Sequence, residues 1–172
     1  MYNNNSSPTL TNCTFTDNTA STGGGMFNYI NSSPTLTDCT FTGNTADYDG
    51  GGMYNLGSGP TLTDCTFTSN TATSGGGMYN DNNSSSTLTG TTVCGNTPDQ
   101  IYGHWTDNGG NWVAYECPEC PDINGDGIVN VSDLLAVIDQ WGLTDSPADV
   151  NEDGIVDVSD LLMVVGNWGE CE

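Results

Sequence analysis

The feature that most restricts this chain is an internal repeat of constant interval, which the residue numbers themselves display. Thr-Leu-Thr segments set Leu10, Leu36, Leu62 and Leu88 at that interval, and Asn18, Asn44, Asn70 and Asn96 keep it too. Cys13, Cys39 and Cys65 follow the same period, as do Phe15, Phe41 and Phe67. Gly-Gly-Gly-Met recurs at Gly23–Met26, Gly50–Met53 and Gly75–Met78, with a slip of one position. Within each copy, apolar residues alternate with Thr, a β-branched residue suited to exposed strand positions. Gly triplets and Asn-Ser-Ser-Pro segments punctuate the strands as turns. Helical periodicity is missing before residue 120. A unit built from short strands and turns cannot bury its apolar side alone, so the copies must stack.

Stacking of such units predicts a parallel β-helix of about four coils over residues 1–100, with neighbouring coils ~4.8 Å apart. Leu, Cys, Phe and Met should point inward. Asn18, Asn44, Asn70 and Asn96 should form an amide ladder, because stacked amides satisfy one another when buried. The last copy changes: Thr91 replaces the stacked Cys, Val93 replaces Phe, and Cys94 stands where Thr68 stood, so Cys94 is expected to face outward. Residues 101–117 lose the period and carry Tyr102, Trp105, Trp112 and Tyr115; they read as a cap and linker, with His104 structural within it. Asp38 and Asp64, with Asn12 one coil earlier, read as turn caps rather than a catalytic carboxylate pair. Met1-Tyr2-Asn3 matches Met53-Tyr54-Asn55 and Met78-Tyr79-Asn80, so the sequence reads as a fragment beginning inside a repeat.

These repeats resemble the right-handed parallel β-helix repeats of bacterial secreted and surface proteins, including the Gly-rich repeats of polymorphic outer-membrane proteins. The resemblance implies a fold and says little of function. Pectin lyases of that fold use basic catalytic residues, which this chain does not have. The chain holds 22 Asp and Glu, no Lys or Arg, a single histidine at His104 and a formal charge of −22. With no cation it cannot neutralise phosphates, which excludes nucleic-acid binding, and anionic membrane surfaces repel it. No apolar run approaches the ~18 residues of a membrane span. The carboxylates must be met by water, hydrogen-bond donors or metal ions.

The final part, 118–172, carries a duplicated metal motif. Asp122-Ile-Asn124-Gly-Asp126-Gly-Ile128-Val-Asn130-Val-Ser-Asp133 returns further along as Asp149-Val-Asn151-Glu-Asp153-Gly-Ile155-Val-Asp157-Val-Ser-Asp160. Positions 1, 3 and 5 of such a twelve-residue loop supply oxygen ligands to Ca²⁺, and a glycine at position 6 allows the sharp turn. Position 7 contributes its carbonyl (Ile128, Ile155), position 9 ligates often through water (Asn130, Asp157), and Asp133 and Asp160 close the two sites. Two calcium ions are therefore expected. A helix should follow each loop: Leu134, Leu135, Ile138 and Trp141 match Leu161, Leu162, Val165 and Trp168, at spacings that give each helix one apolar face. This loop-then-helix duplication resembles the type I dockerin family. The resemblance implies a domain that folds with Ca²⁺ and binds cohesin modules through a helix face. It places recognition at loop positions 10 and 11, here Val131 and Ser132, and Val158 and Ser159.

Cys94, Cys117, Cys120 and Cys171 remain outside the repeat. Cys94–Cys117 with Cys120–Cys171 is one pairing and Cys117–Cys171 with Cys94–Cys120 an alternative, since the count alone does not fix the connectivity. Disulfides and calcium point to an extracellular or bacterial cell-surface location. Taken together, the sequence predicts a non-catalytic, calcium-stabilised structural protein that self-associates into surface filaments or tubes. The alternatives are a module docking to a cohesin on a scaffold, and a fragment of a polysaccharide-acting enzyme. A glycan is carried as a further candidate partner.

Overall fold

The computed structural model describes residues 1–81, 83–117, 120–151 and 153–170. They belong to two compact units, 1–117 and 118–172.

The first coil of unit one contains β1 (Tyr2–Asn4), β2 (Thr9–Thr11), β3 (Thr14–Thr16) and the short β4 (Thr19–Ala20). The second contains β5 (Met26–Tyr29), β6 (Thr35–Thr37), β7 (Thr40–Thr42) and β8 (Thr45–Ala46). The third contains β9 (Met53–Leu56), β10 (Thr61–Thr63) and β11 (Thr66–Thr68), and the fourth β12 (Met78–Asn80), β13 (Ser86–Thr89) and β14 (Thr92–Cys94). Equivalent strands pair in parallel, giving three sheets that run the length of the stack. The register follows the repeat: Leu10 pairs with Leu36, Leu36 with Leu62 and Leu62 with Leu88. The aromatic row pairs likewise, and the Phe15, Phe41 and Phe67 rings stack at 4.5 and 4.4 Å. Met26, Met53, Met78, Leu36, Leu62, Leu88, Phe41 and Phe67 are fully buried and form one continuous core.

The expected cap turns out to be another rung. β15 (Ile101–Tyr102), β16 (Trp105–Asp107) and β17 (Trp112–Ala114) each add a fifth strand to one of the three sheets. Ile101 pairs with Met78, Thr106 with Thr87 and Val113 with Val93. Ladder pairing needs only an extended segment at each face, so a coil with shortened turns joins the stack although its sequence has left the period.

The coils also fit backbone to backbone. A Cβ at Gly51 would lie 2.5 Å from the Gly76 carbonyl oxygen and 2.6 Å from that of Thr71, so the glycine triplet is dictated by the approach of the next coil. Inside the turns, amides form the expected ladder. Asn18 Nδ2 donates to Asn44 Oδ1, Asn44 to Asn70 and Asn70 to Asn96, at 2.9, 2.9 and 2.8 Å. Asn96 Nδ2 passes the chain to Gln100 Oε1 at 2.8 Å. A second ladder, Asn3 to Asn28 to Asn55 to Asn80, runs at 2.8 Å per step. Among the described residues, every buried side-chain nitrogen and oxygen has a partner.

Unit two contains β18 (Ile128–Val129), α1 (Val131–Asp139), α2 (Val158–Gly166) and β19 (Gly169–Glu170). β18 pairs antiparallel with β19. The same bridge recurs in the second repeat, where Gly142 N–H donates to Val156 O and Val156 N–H to Leu143 O. The two halves are thus related by a pseudo-twofold, with Val129, Val137, Ala148, Val156 and Val164 buried between them. Among the described residues, no helix is long and apolar enough to cross a membrane.

Candidate functional site

Asp38 and Asp64 occupy left-handed corners (φ 50° and 49°), stacked with Asn12 (51°) and Gly90 (58°). Their backbone N–H groups bond to the next coil, at Thr63 O and Thr89 O, as expected of turn residues. His104 is exposed between β15 and β16. Cys13, Cys39 and Cys65 are free thiols. Each donates to the carbonyl two residues before it, and Thr91 Oγ1 does the same in the fourth coil. Cys94 points away from the core, as its parity with Thr68 requires, yet is buried because it is bonded to Cys117. This excludes the alternative pairing. Cys120 is also disulfide-bonded, and its expected partner Cys171 lies outside the described residues.

The two acidic loops are built alike. In the first, Asp122 Oδ1 accepts from Gly125 N and Asp126 N, and its Oδ2 from Gly127 N at 2.7 Å. Asn124 Oδ1 accepts from Asp126 N, and Asp126 Oδ1 from Ile128 N. Asn130 caps α1, accepting from Ser132 N, while its side-chain amide donates to Ile128 O. Asp133 closes the loop: Oδ1 accepts from Ile123 N and Asn124 N, and Oδ2 from Asn130 N, in a capping box. In the second loop, Asp149 accepts from Asp153 N and Gly154 N, Asn151 from Asp153 N, and Asp153 from Ile155 N. Asp157 caps α2, and Asp160 Oδ2 accepts from Asp157 N. Gly127 and Gly154 make the turn at φ 86° and 96°.

Asp133 and Asp160 are fully buried carboxylates. Burial alone would raise the Asp133 pKa, but the N–H groups of Asn130, Asn124 and Ile123 hold it below the ordinary carboxylate value. Among the described residues, no three His, Cys, Asp or Glu side chains are gathered closely enough to hold a metal by themselves. The wider donor set of each loop is carboxylate, side-chain amide and main-chain carbonyl oxygen. That all-oxygen chemistry suits a hard divalent cation such as Ca²⁺ rather than a thiolate or imidazole metal.

The helices depart from the sequence expectation. Leu134 and Leu161 pack on the core beside the buried Val137 and Val164. Leu135, Ile138 and Trp141, grouped with Leu134 as one face, are instead exposed, as are Leu162, Val165 and Trp168. The apolar arc of each helix is too wide for one neighbour to cover, because residues at i and i+1 lie about 100° apart on a helix. Val131, Leu135 and Ile138 therefore form an outward stripe at i, i+4 and i+7, repeated by Val158, Leu162 and Val165. Leu135 is 57% exposed and Leu162 62%. Val131, Ser132, Val158 and Ser159, the expected recognition residues, are also exposed and begin these stripes. The helical part of the surface was missed because four apolar residues per repeat looked like one face.

A right-handed beta helix family model matches residues 1–120, and a dockerin type I domain model matches residues 121–167. No curated protein matches the chain. No solved structure matches it either.

Proposed function

We propose, given that this chain belongs to the right-handed beta helix family and carries a dockerin type I domain, that it is an extracellular, non-catalytic assembly module. Its solenoid serves as a spacer, and its second unit docks to a cohesin. The observation that carries this reading is the duplicated apolar stripe, Val131–Leu135–Ile138 and Val158–Leu162–Val165, held outward on two capped helices. Exposed apolar side chains at regular helical spacing are the form of a helix-face docking surface.

Two Ca²⁺ ions would be held by Asp122, Asn124, Asp126, Ile128, Asn130 and Asp133, and by Asp149, Asn151, Asp153, Ile155, Asp157 and Asp160. The ions supply positive charge to a region that has none of its own. The protein's own groups do the shaping: Gly127 and Gly154 turn the loops, and Asp133 and Asp160 tie each loop to its helix cap. Because ion binding requires the folded loops, it adds to the folding free energy of the unit. Asp38 and Asp64 sit at turn corners of the solenoid, so the enzyme-fragment reading ranks behind docking. Self-association into filaments also ranks second, since the dockerin match supports docking to a different partner.

The test is capture of the calcium-loaded chain by immobilised type I cohesin modules. Leu135→Asp or Leu162→Asp alone should leave binding within a few-fold, because the other stripe serves. The double variant should weaken it by about 30-fold or more, the loss expected of a hot spot, with the helical circular dichroism retained. A double variant that binds like the parent chain would refute the assignment. Sedimentation of the same calcium-loaded chain alone reads the competing filament hypothesis.

A further inference from the structure

We propose that the partner surface received by either helix stripe has an apolar centre and a basic rim, its Lys or Arg side chains meeting the C-terminal end of that stripe's helix, α1 or α2. The proposal rests on the docking reading above and adds the chemistry of the partner.

Residues 118–172 contain 13 acidic side chains and no Lys, Arg or His. Two divalent ions would neutralise at most four of those charges, so the unit stays strongly anionic when loaded. Among the described carboxylates outside the two loops, Asp139 and Asp145 are exposed. Asp139 sits four residues after Leu135, on the flank of the outward stripe.

The helix ends add to this field. A helix C-terminus carries partial negative charge on its last carbonyl groups, which nearby cations normally offset. Neither α1 nor α2 has a basic residue in its last turn. The caps are Gln140 and Asn167, followed at once by Trp141 and Trp168, both half exposed. Each helix therefore ends in a negative pole that no cation offsets, beside an exposed indole; at α2 the Asn167 amide donates to Met163 O. A guanidinium or ammonium gains from both, by the dipole and by cation–π attraction. The arrangement occurs once in each repeat, so both docking stripes carry it. A partner with an acidic rim would meet like charge at the helix ends and on the Asp139 flank, which slows association.

The experiment uses the calcium-loaded full chain and a type I cohesin module prepared in two forms, with lysines or with glutamates around its docking face. Association rates are measured at about 0.01 M and about 1 M ionic strength, where charges are felt over ~30 Å and ~3 Å. The lysine form should associate roughly tenfold or more faster at low salt, the range of electrostatic steering, and the two forms should converge at high salt. Equal rates at low salt, or a faster glutamate form, would overturn the basic rim while leaving the docking site intact. Binding of neither form would overturn the docking reading itself and the proposal with it.

Discussion

In the solenoid, Asn70 both gives and takes: its Nδ2 donates to Asn96 Oδ1 and to Phe41 O, and its Oδ1 accepts from Asn44 N and Nδ2. In the second unit, Asp133 only takes, accepting three N–H groups from its loop and cap. Both regions solve the problem of burying polar groups without a basic side chain. The neutral amide can be stacked indefinitely, since each donor finds the next acceptor. The carboxylate ends its network and leaves a negative charge behind. One region is therefore complete in itself, whereas the other calls for cations from outside, which is the physical reason to expect calcium in it.

The largest effect follows directly. Removing Ca²⁺ with a chelator should unfold the second unit and spare the first. Hydrogen exchange should show amides of Val131–Asp139 and Val158–Gly166 losing protection, while those of Met53–Leu56 and Thr61–Thr63 keep theirs. Structural metal of this kind contributes folding free energy outright. Helix amides that stay protected after chelation would erase the contrast between the regions. Loss of protection in both regions together would instead mean that the solenoid is not self-sufficient.

Much of this division could be seen in the residues themselves. A strict period determined which Leu, Phe and Asn meet in the stack, and the two acidic dodecamers marked the loops. Three things escaped, each for a physical reason. The second amide ladder follows Met-x-Asn segments whose spacing alternates around the main period, as at Asn28, Asn55 and Asn80, so alignment on Leu and Phe hid it. The fifth rung escaped because main-chain pairing does not depend on side-chain identity, and Trp105 and Trp112 took the positions that Ser86 and Thr92 hold in the coil before. The outward helix stripe escaped because periodicity reports where apolar residues lie around a helix, not which of them a small two-helix core can cover. In each case the missing information was the geometry of neighbours.

A smaller effect sharpens the contrast inside the solenoid. Replacing Asn70 with Asp keeps the size but turns a ladder member into an acceptor carrying a buried charge. The donors to Asn96 Oδ1 and Phe41 O vanish. The expected cost is about 3–5 kcal/mol, that of an uncompensated buried charge, read as a fall in the denaturation midpoint of unit one. Asn70→Ala should cost less, about 1–3 kcal/mol for the groups left unpaired. Equal stability of the Asp variant and the parent at neutral pH would mean that the ladder tolerates carboxylates, and the distinction between the two regions would fail.

The mildest effect concerns the thiol row at the alkaline end of the pH scale. Burial pushes the Cys65 thiol up to about 11 and raises Cys39 as well. A folded-state pKa above the unfolded value means the fold favours the protonated thiol. That stability is fully present below the unfolded value of roughly 8.5 and is lost as pH rises through about 11. The melting temperature of unit one should therefore hold steady from neutral pH to roughly pH 8.5 and decline above it. The fourth coil suggests the control, because Thr91 fills the same inward place and donates to the same kind of carbonyl. A Cys39→Thr, Cys65→Thr variant should lose most of the alkaline decline. If the decline persists unchanged, the responsible groups are Tyr54 and Tyr79, whose pKa values burial and nearby acidic groups also raise. The thiol row would then be only a packing device, and the amide ladders alone would distinguish the solenoid from the charged loops.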